Sequence, residues 1–248
     1  MKIKFKLCLM MIAVVLVVAG GIAIIELVKS SDITMGLAKQ KTMYLARQRA
    51  QYWDGRINAY IKTLQTLSNV MNYYESINAA ERRQQFEDTM RSVFEDETDL
   101  VRMFTVWKPN AIDGMDSRYI GRPGSTGTGQ FAYALSRENG RLEVITSLVV
   151  QAVMDHITGP DAKIVSMSDP GPMKLAGKDV YCIRIIVPII NKRLNEVVGG
   201  IGCQLDISLI QPTIEQTIKN FEEVSALSIY TNNGFVLGSY VPERIGKQ

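Results

Sequence analysis

The sequence predicts an α+β protein: an N-terminal transmembrane helix, a long stalk helix, an antiparallel-sheet module and a final hairpin that two strands alone leave unfinished. Three observations carry this. An uncharged apolar run occupies residues 7–25 behind three lysines. A stripe of apolar side chains at steps of three and four runs from Trp53 to Tyr74. Beyond residue 100, Val- and Ile-rich segments alternate with turns rich in Gly, Asn and Pro.

The first thirty residues open with Lys2, Lys4 and Lys6. Leu7 to Ile25 carries no charge, and Glu26 then precedes Leu27, Val28 and Lys29. About twenty residues at a helical rise of ~1.5 Å match a hydrocarbon core of ~30 Å. A cleaved signal peptide also begins with lysines, but its apolar region is shorter, roughly 7–15 residues. An uncleaved anchor over 7–28 is therefore expected. The lysines before the span place residues 1–6 in the cytoplasm, so everything after Lys29 is exported.

A stalk helix is expected over 31–76. Its stripe, Trp53, Ile57, Tyr60, Leu64, Leu67, Met71 and Tyr74, faces either the core of its own domain or a second copy of the chain. Ala79–Glu97 reads as a charge-rich amphipathic helix. Leu100–Trp107 reads as a strand, and Lys108–Gln130 as a long loop broken by Gly121, Pro123, Gly124, Gly127 and Gly129. Phe131–Ser136 and Arg141–Ser147 bracket Glu138-Asn139-Gly140, a hairpin signal. Asp179–Ile190 and Leu194–Ile207 form a second hairpin about Asn191-Lys192-Arg193, where Gly199, Gly200 and Gly202 point to close backbone approach. A helix over Ile210–Phe221 and a last hairpin, Ala226–Tyr230 with Phe235–Tyr240, complete the chain.

Composition limits the chemistry. Twenty-eight basic against 25 acidic residues give a net charge of +3 and no electrostatic case for nucleic acid. One histidine and three cysteines exclude a histidine-rich metal site, an all-cysteine zinc cluster and a disulfide framework. No cofactor, metal or catalytic residue is expected. An anchored exported hydrolase would have to work through His156, which has no partners at metal or catalytic spacing.

Several segments together resemble the double Cache sensor region of bacterial methyl-accepting chemotaxis proteins. They are the anchor and exported helix, the run Trp107-Lys108-Pro109-Asn110-Ala111-Ile112-Asp113-Gly114, Phe131-Ala132-Tyr133 ahead of Ser136-Arg137-Glu138-Asn139-Gly140, Val187-Pro188-Ile189, and the glycine-rich strand ending Leu205-Asp206-Ile207-Ser208-Leu209. The resemblance implies two PAS-like modules on a stalk. Residues 78–222 would be the membrane-distal, ligand-binding one, and 226–248 only the beginning of the membrane-proximal one. On that template the chain is an extracytoplasmic small-molecule sensing domain of a chemotaxis receptor, truncated before its HAMP and cytoplasmic signalling parts. The alternatives are the input domain of a membrane histidine kinase or cyclic-nucleotide enzyme, or a stalk that binds nothing. Expected partners are an amino acid or other small organic ligand, the membrane, and a second copy through the stalk helix.

An amino-acid-like ligand needs a carboxylate for its ammonium and an arginine for its carboxylate. Asp206 is the candidate for the first role, or else it caps the following helix. Arg137 with Tyr133 is the candidate for the second, or else Arg137 is a solvated residue beside a turn. Trp107 and Tyr133 serve as walls or as core. If the second hairpin turns about Lys192-Arg193, Tyr181 and Gln204 share the face of Asp206. The same register sets Cys182 opposite Cys203, as a cross-strand disulfide or as two buried small residues.

Overall fold

A computed structural model of the chain describes residues 3–137, 140–147, 150–158, 164–175, 177–221, 224–231 and 233–247. Glu138 and Asn139 of the first expected turn and Asn232 of the last lie outside the described residues. The first helix, α1, spans Ile3–Met71. The chain divides into two units, Met1–Gln51 and Tyr52–Gln248. In the first, the apolar side chains from Leu9 to Val28 are exposed along a helix long and apolar enough to cross a membrane.

The second unit is built on an antiparallel sheet. Its strands are β1 (Leu100–Trp107), β2 (Tyr133–Ser136), β3 (Glu143–Thr146), β4 (Ser166–Met167), β5 (Gly171–Leu175), β6 (Lys178–Asn191) and β7 (Glu196–Asp206). Their order is β3-β2-β1-β7-β6-β4, with β5 also paired to β6. The helices are the end of α1, α2 (Arg82–Asp96), α3 (Val150–Thr158) and α4 (Ile210–Asn220); β8 (Ser228–Tyr230) and β9 (Val236–Ser239) form a separate hairpin.

Strand alternation sorts the side chains onto two faces. One face carries Met103, Trp107, Tyr133, Leu135, Ile183, Ile185, Ile189, Ile201, Cys203 and Leu205. It is covered by Trp53, Tyr60, Leu64, Leu67 and Met71 of α1 and by Phe86, Met90 and Phe94 of α2. Over Trp53–Tyr74, then, the heptad-like stripe packs on its own domain. Trp107 is fully buried there, stacked on Phe86 at 5.8 Å and met edge-on by Tyr74 at 5.1 Å; each such pair contributes about 0.5–1.5 kcal/mol beyond its buried area. The other face carries Phe104, Val106, Ala132, Ala134 and Ile186, covered at one end by Val153 and Ile157 of α3.

The end of α1 also holds the outer edge of β6 through buried polar groups. Ser68 Oγ donates to the Pro188 carbonyl at 2.6 Å, Asn72 Oδ1 accepts from Ile190 N at 2.6 Å, and Asn191 Nδ2 donates to the Tyr74 hydroxyl at 2.7 Å. The first two bonds satisfy main-chain groups of β6 that the short strands β4 and β5 leave uncovered and blunt the exposed edge, and the third joins two side chains across the same contact.

The expected register of β6 with β7 is corrected. Cys182 lies opposite Asp206, Arg184 opposite Gln204, and Ile185 opposite Cys203. The loop is four residues, Lys192–Asn195, with Asn195 at φ 54° and Asn191 Oδ1 accepting from the amides of Arg193 and Leu194. That moves the turn centre one residue along and the pairing by two. A bulge between Ile189 and Ile190 adds one more. An odd offset exchanges the faces of a strand. Cys182 and Cys203 therefore lie on opposite faces, and no disulfide joins them. Tyr181 and Gln204, expected on one face, are likewise separated.

Candidate functional site

The long loop 108–130 is ordered by a buried arginine that sequence reasoning did not single out. Arg83 of α2 is 2% exposed. It donates from Nε and Nη2 to Asp113 (2.7 and 3.1 Å), from Nη2 to Asp116 (2.6 Å), and from Nη1 to the Gly129 carbonyl (2.9 Å) and Ser125 Oγ (3.2 Å). Asp116 in turn accepts from the Asn110 amide at 2.7 Å. At Gly129, φ is +81° and a Cβ would sit 1.8 Å from the Asp116 carbonyl oxygen, so only glycine fits. The Trp-x-Pro-Asn-x-x-Asp-Gly segment thus acts here as a folding element.

The six expected ligand residues do not converge. Trp107 and Tyr133 are buried on the helix-covered face. Trp107 Nε1 donates to Thr105 Oγ1 at 3.0 Å, and burial raises the Tyr133 phenol above its ordinary pKa. Arg137 spends its donors on the carboxyl end of α2 and the start of β1: Glu97 O at 2.7 Å, Phe94 O at 2.5 Å, Glu95 O at 3.3 Å and Leu100 O at 3.2 Å. Its guanidinium also lies 4.1 Å over the Phe94 ring. It closes the orphan carbonyls and complements the helix dipole. Asp206, 7% exposed, caps the turn that follows β7, its Oδ1 accepting from Ser208 N at 2.8 Å and Ser208 Oγ at 2.6 Å. Asp206 and Arg137 both border a cleft of about 330 Å³ at the sheet end. Tyr181 packs on the chain's last segment, where a Cβ at Gly246 would meet its ring at 2.1 Å.

Gln204 alone of the six lines the cavity on the face away from α1. This cavity is about 340 Å³ and is bounded by Arg102 of β1, Cys182 and Arg184 of β6, Gln204 of β7, and Ser168, Asp169, Gly171, Pro172 and Met173 around β4 and β5. That size falls at the small end of the ~300–1,000 Å³ typical of small-molecule sites. Arg102, Gln204 and Arg184 sit side by side on three adjacent strands because their registers align. Among the described residues no hydrogen bond is made by Arg184 Nε or Gln204 Oε1, although both atoms are buried. Burial, and then the charge of Arg102, lower the pKa of Arg184 below the ordinary arginine value. Ser168 holds the covering segment: its Oγ accepts from Arg184 N at 3.0 Å and its amide donates to Arg184 O at 2.9 Å.

Sequence reasoning assigns no element to the segment forming β4 and β5, which carries Pro170, Gly171 and Pro172. On an edge strand, proline is tolerated. The signal for the site was Arg184, a charge inside an apolar run. His156 is exposed on α3, away from the cavity.

No family model matches the chain, and no curated protein matches its sequence. Solved structures do. The extracellular domain of mmHK1S-Z3, assigned as a histidine kinase, superposes with a TM-score of 0.70 at 20% identity, covering 86% of this chain and 74% of its own. The periplasmic sensory domain of the Campylobacter jejuni chemoreceptor Tlp1 gives 0.59 at 17% identity, covering 83% and 73%. The ligand-binding domain of the Pseudomonas aeruginosa amino acid chemoreceptor PctC, in complex with GABA, gives 0.56 at 9% identity, covering 84% and 77%. The chain therefore has the Cache-type fold of extracellular sensor domains found in chemoreceptors and histidine kinases.

Proposed function

We propose that the chain is the extracytoplasmic small-molecule sensing part of a single-span chemotaxis receptor, anchored by residues 7–28. Residues 78–222 form its ligand-binding module and 226–248 open a second one. It works as a homodimer through the stalk helix. The observation that carries this is the small cavity floored by Arg102, Arg184 and Gln204 on the face away from α1. The likeness to mmHK1S-Z3 supports a second output, a histidine kinase, for the same sensing function.

β6 ties the cavity to the rest of the module. Its Cys182 and Arg184 line the cavity, and its residues 188–191 hold the end of α1. Asp169 on the rim accepts from Asn233 of the last hairpin at 3.2 Å. A ligand that draws the 168–173 segment onto the sheet would bias the position of both neighbours, which is a population shift.

The test is a thermal-shift screen of the full chain in detergent against amino acids, carboxylates and amines. A ligand at 100 times its Kd stabilises by about 2.7 kcal/mol, a Tm rise of about 5–10 °C at this chain length. Such a rise, lost in Arg184→Ala, is expected. No stabilisation by any compound would overturn the sensing function.

A further inference from the structure

We propose that the cavity takes a small organic carboxylate, held by Arg184 and Gln204, and not an amine or a neutral molecule. This rests on the sensing function proposed above and names its ligand class. The cavity wall carries two guanidinium groups, Arg102 and Arg184, against a single carboxylate, Asp169. Asp169 is exposed at the rim and already accepts from Asn233. Asp206, the residue best suited to meet an ammonium, faces the neighbouring cleft and is engaged with Ser208. Among the described residues no carboxylate lies deep in the cavity, so nothing there balances the charge of a cation.

Arg184 is the opposite case. Its guanidinium forms no ion pair among the described residues, and its Nε is buried without a hydrogen bond. Arginine stays charged in proteins, and a half-buried charge lacking a counter-ion is costly. A planar fork of N–H donors is complementary to a carboxylate, which it binds in a bidentate manner. Beside it the Gln204 amide can turn either end to the ligand, donating to a carboxylate oxygen or accepting from a hydroxyl.

The experiment measures Tm of the full chain in detergent at constant ionic strength, with sodium chloride as reference. The probes are sodium acetate, lactate, succinate, malate, citrate and benzoate; sodium phosphate; putrescine; acetamide; and γ-aminobutyrate. At least one carboxylate is expected to raise Tm by several degrees, with putrescine and acetamide giving no rise. Arg184→Met should abolish the rise and, because it removes a buried charge, should not lower the Tm measured without anion. Gln204→Leu, which leaves both arginines in place, should weaken the same carboxylate at least 10-fold. A rise with putrescine or acetamide and none with carboxylates overturns the ligand class and leaves sensing standing. Equal rises with phosphate and the carboxylates overturn the claim for an organic carboxylate. No rise with any probe removes both claims.

Discussion

Arg83 sits between two carboxylates and two further oxygen acceptors, all withdrawn from water. Removing one member of such a network leaves the others buried and uncompensated, a loss of about 3–5 kcal/mol. Arg83→Ala is expected to lower the unfolding free energy by that amount, read as a lower urea midpoint at unchanged slope, while an exposed control, Arg118→Ala, leaves the midpoint unchanged. Cys203 is a second residue whose environment dictates its behaviour. Complete burial pushes its thiol up to about 12, so little thiolate forms near neutral pH. Maleimide should therefore leave Cys203 unlabelled in the folded protein and label it in urea. Non-reducing peptide maps should contain no Cys182–Cys203 link, because the two side chains lie on opposite faces of the sheet. Either a native-state adduct or that cross-linked peptide would contradict the register described here.

At the scale of elements, most of the secondary structure was legible in the sequence because pattern and packing agree. β1 spans Leu100–Trp107, as expected, and the glycine-rich strand is held as tightly as its composition implied: a Cβ at Gly202 would meet Ile185 O and the Phe104 ring at 2.5 Å. Gly202→Ala should cost about 1–3 kcal/mol through overpacking, read from the urea midpoint. The β6–β7 register was not legible. A four-residue turn and a bulge are both compatible with the same letters, and together they exchange the faces on which Tyr181 and Gln204 sit. The site suffered for the same reason. Arg137 and Asp206 carry the residue types a ligand needs, yet each is engaged by nearby protein groups that only the folded chain brings within reach. Tyr181 owes its place to the last segment: Gly246, at φ +75°, lets the backbone lie against its ring. Gly246→Val should release that contact, seen as faster hydrogen exchange at β8 and β9 with β1 and β7 unaffected.

At the scale of the whole molecule, the chain has an apolar N-terminal helix and a Cache-type sheet module. The sheet is used on both faces. One is filled by the end of α1, by α2 and by a buried tryptophan; the other is filled by α3 at one end and left open over Arg102, Arg184 and Gln204 at the other. β6 contributes to both and reaches the end of α1, so occupancy of the open end has a short physical route to the stalk. The proposed ligand-binding site is this open end. Hydrogen–deuterium exchange of the full chain, with and without the compound giving the largest thermal shift, tests it most directly. Slower exchange over 166–175 and 180–186 is the predicted result. Protection confined to the face of Trp107 and Tyr133, or to the cleft of Asp206 and Arg137, would contradict it.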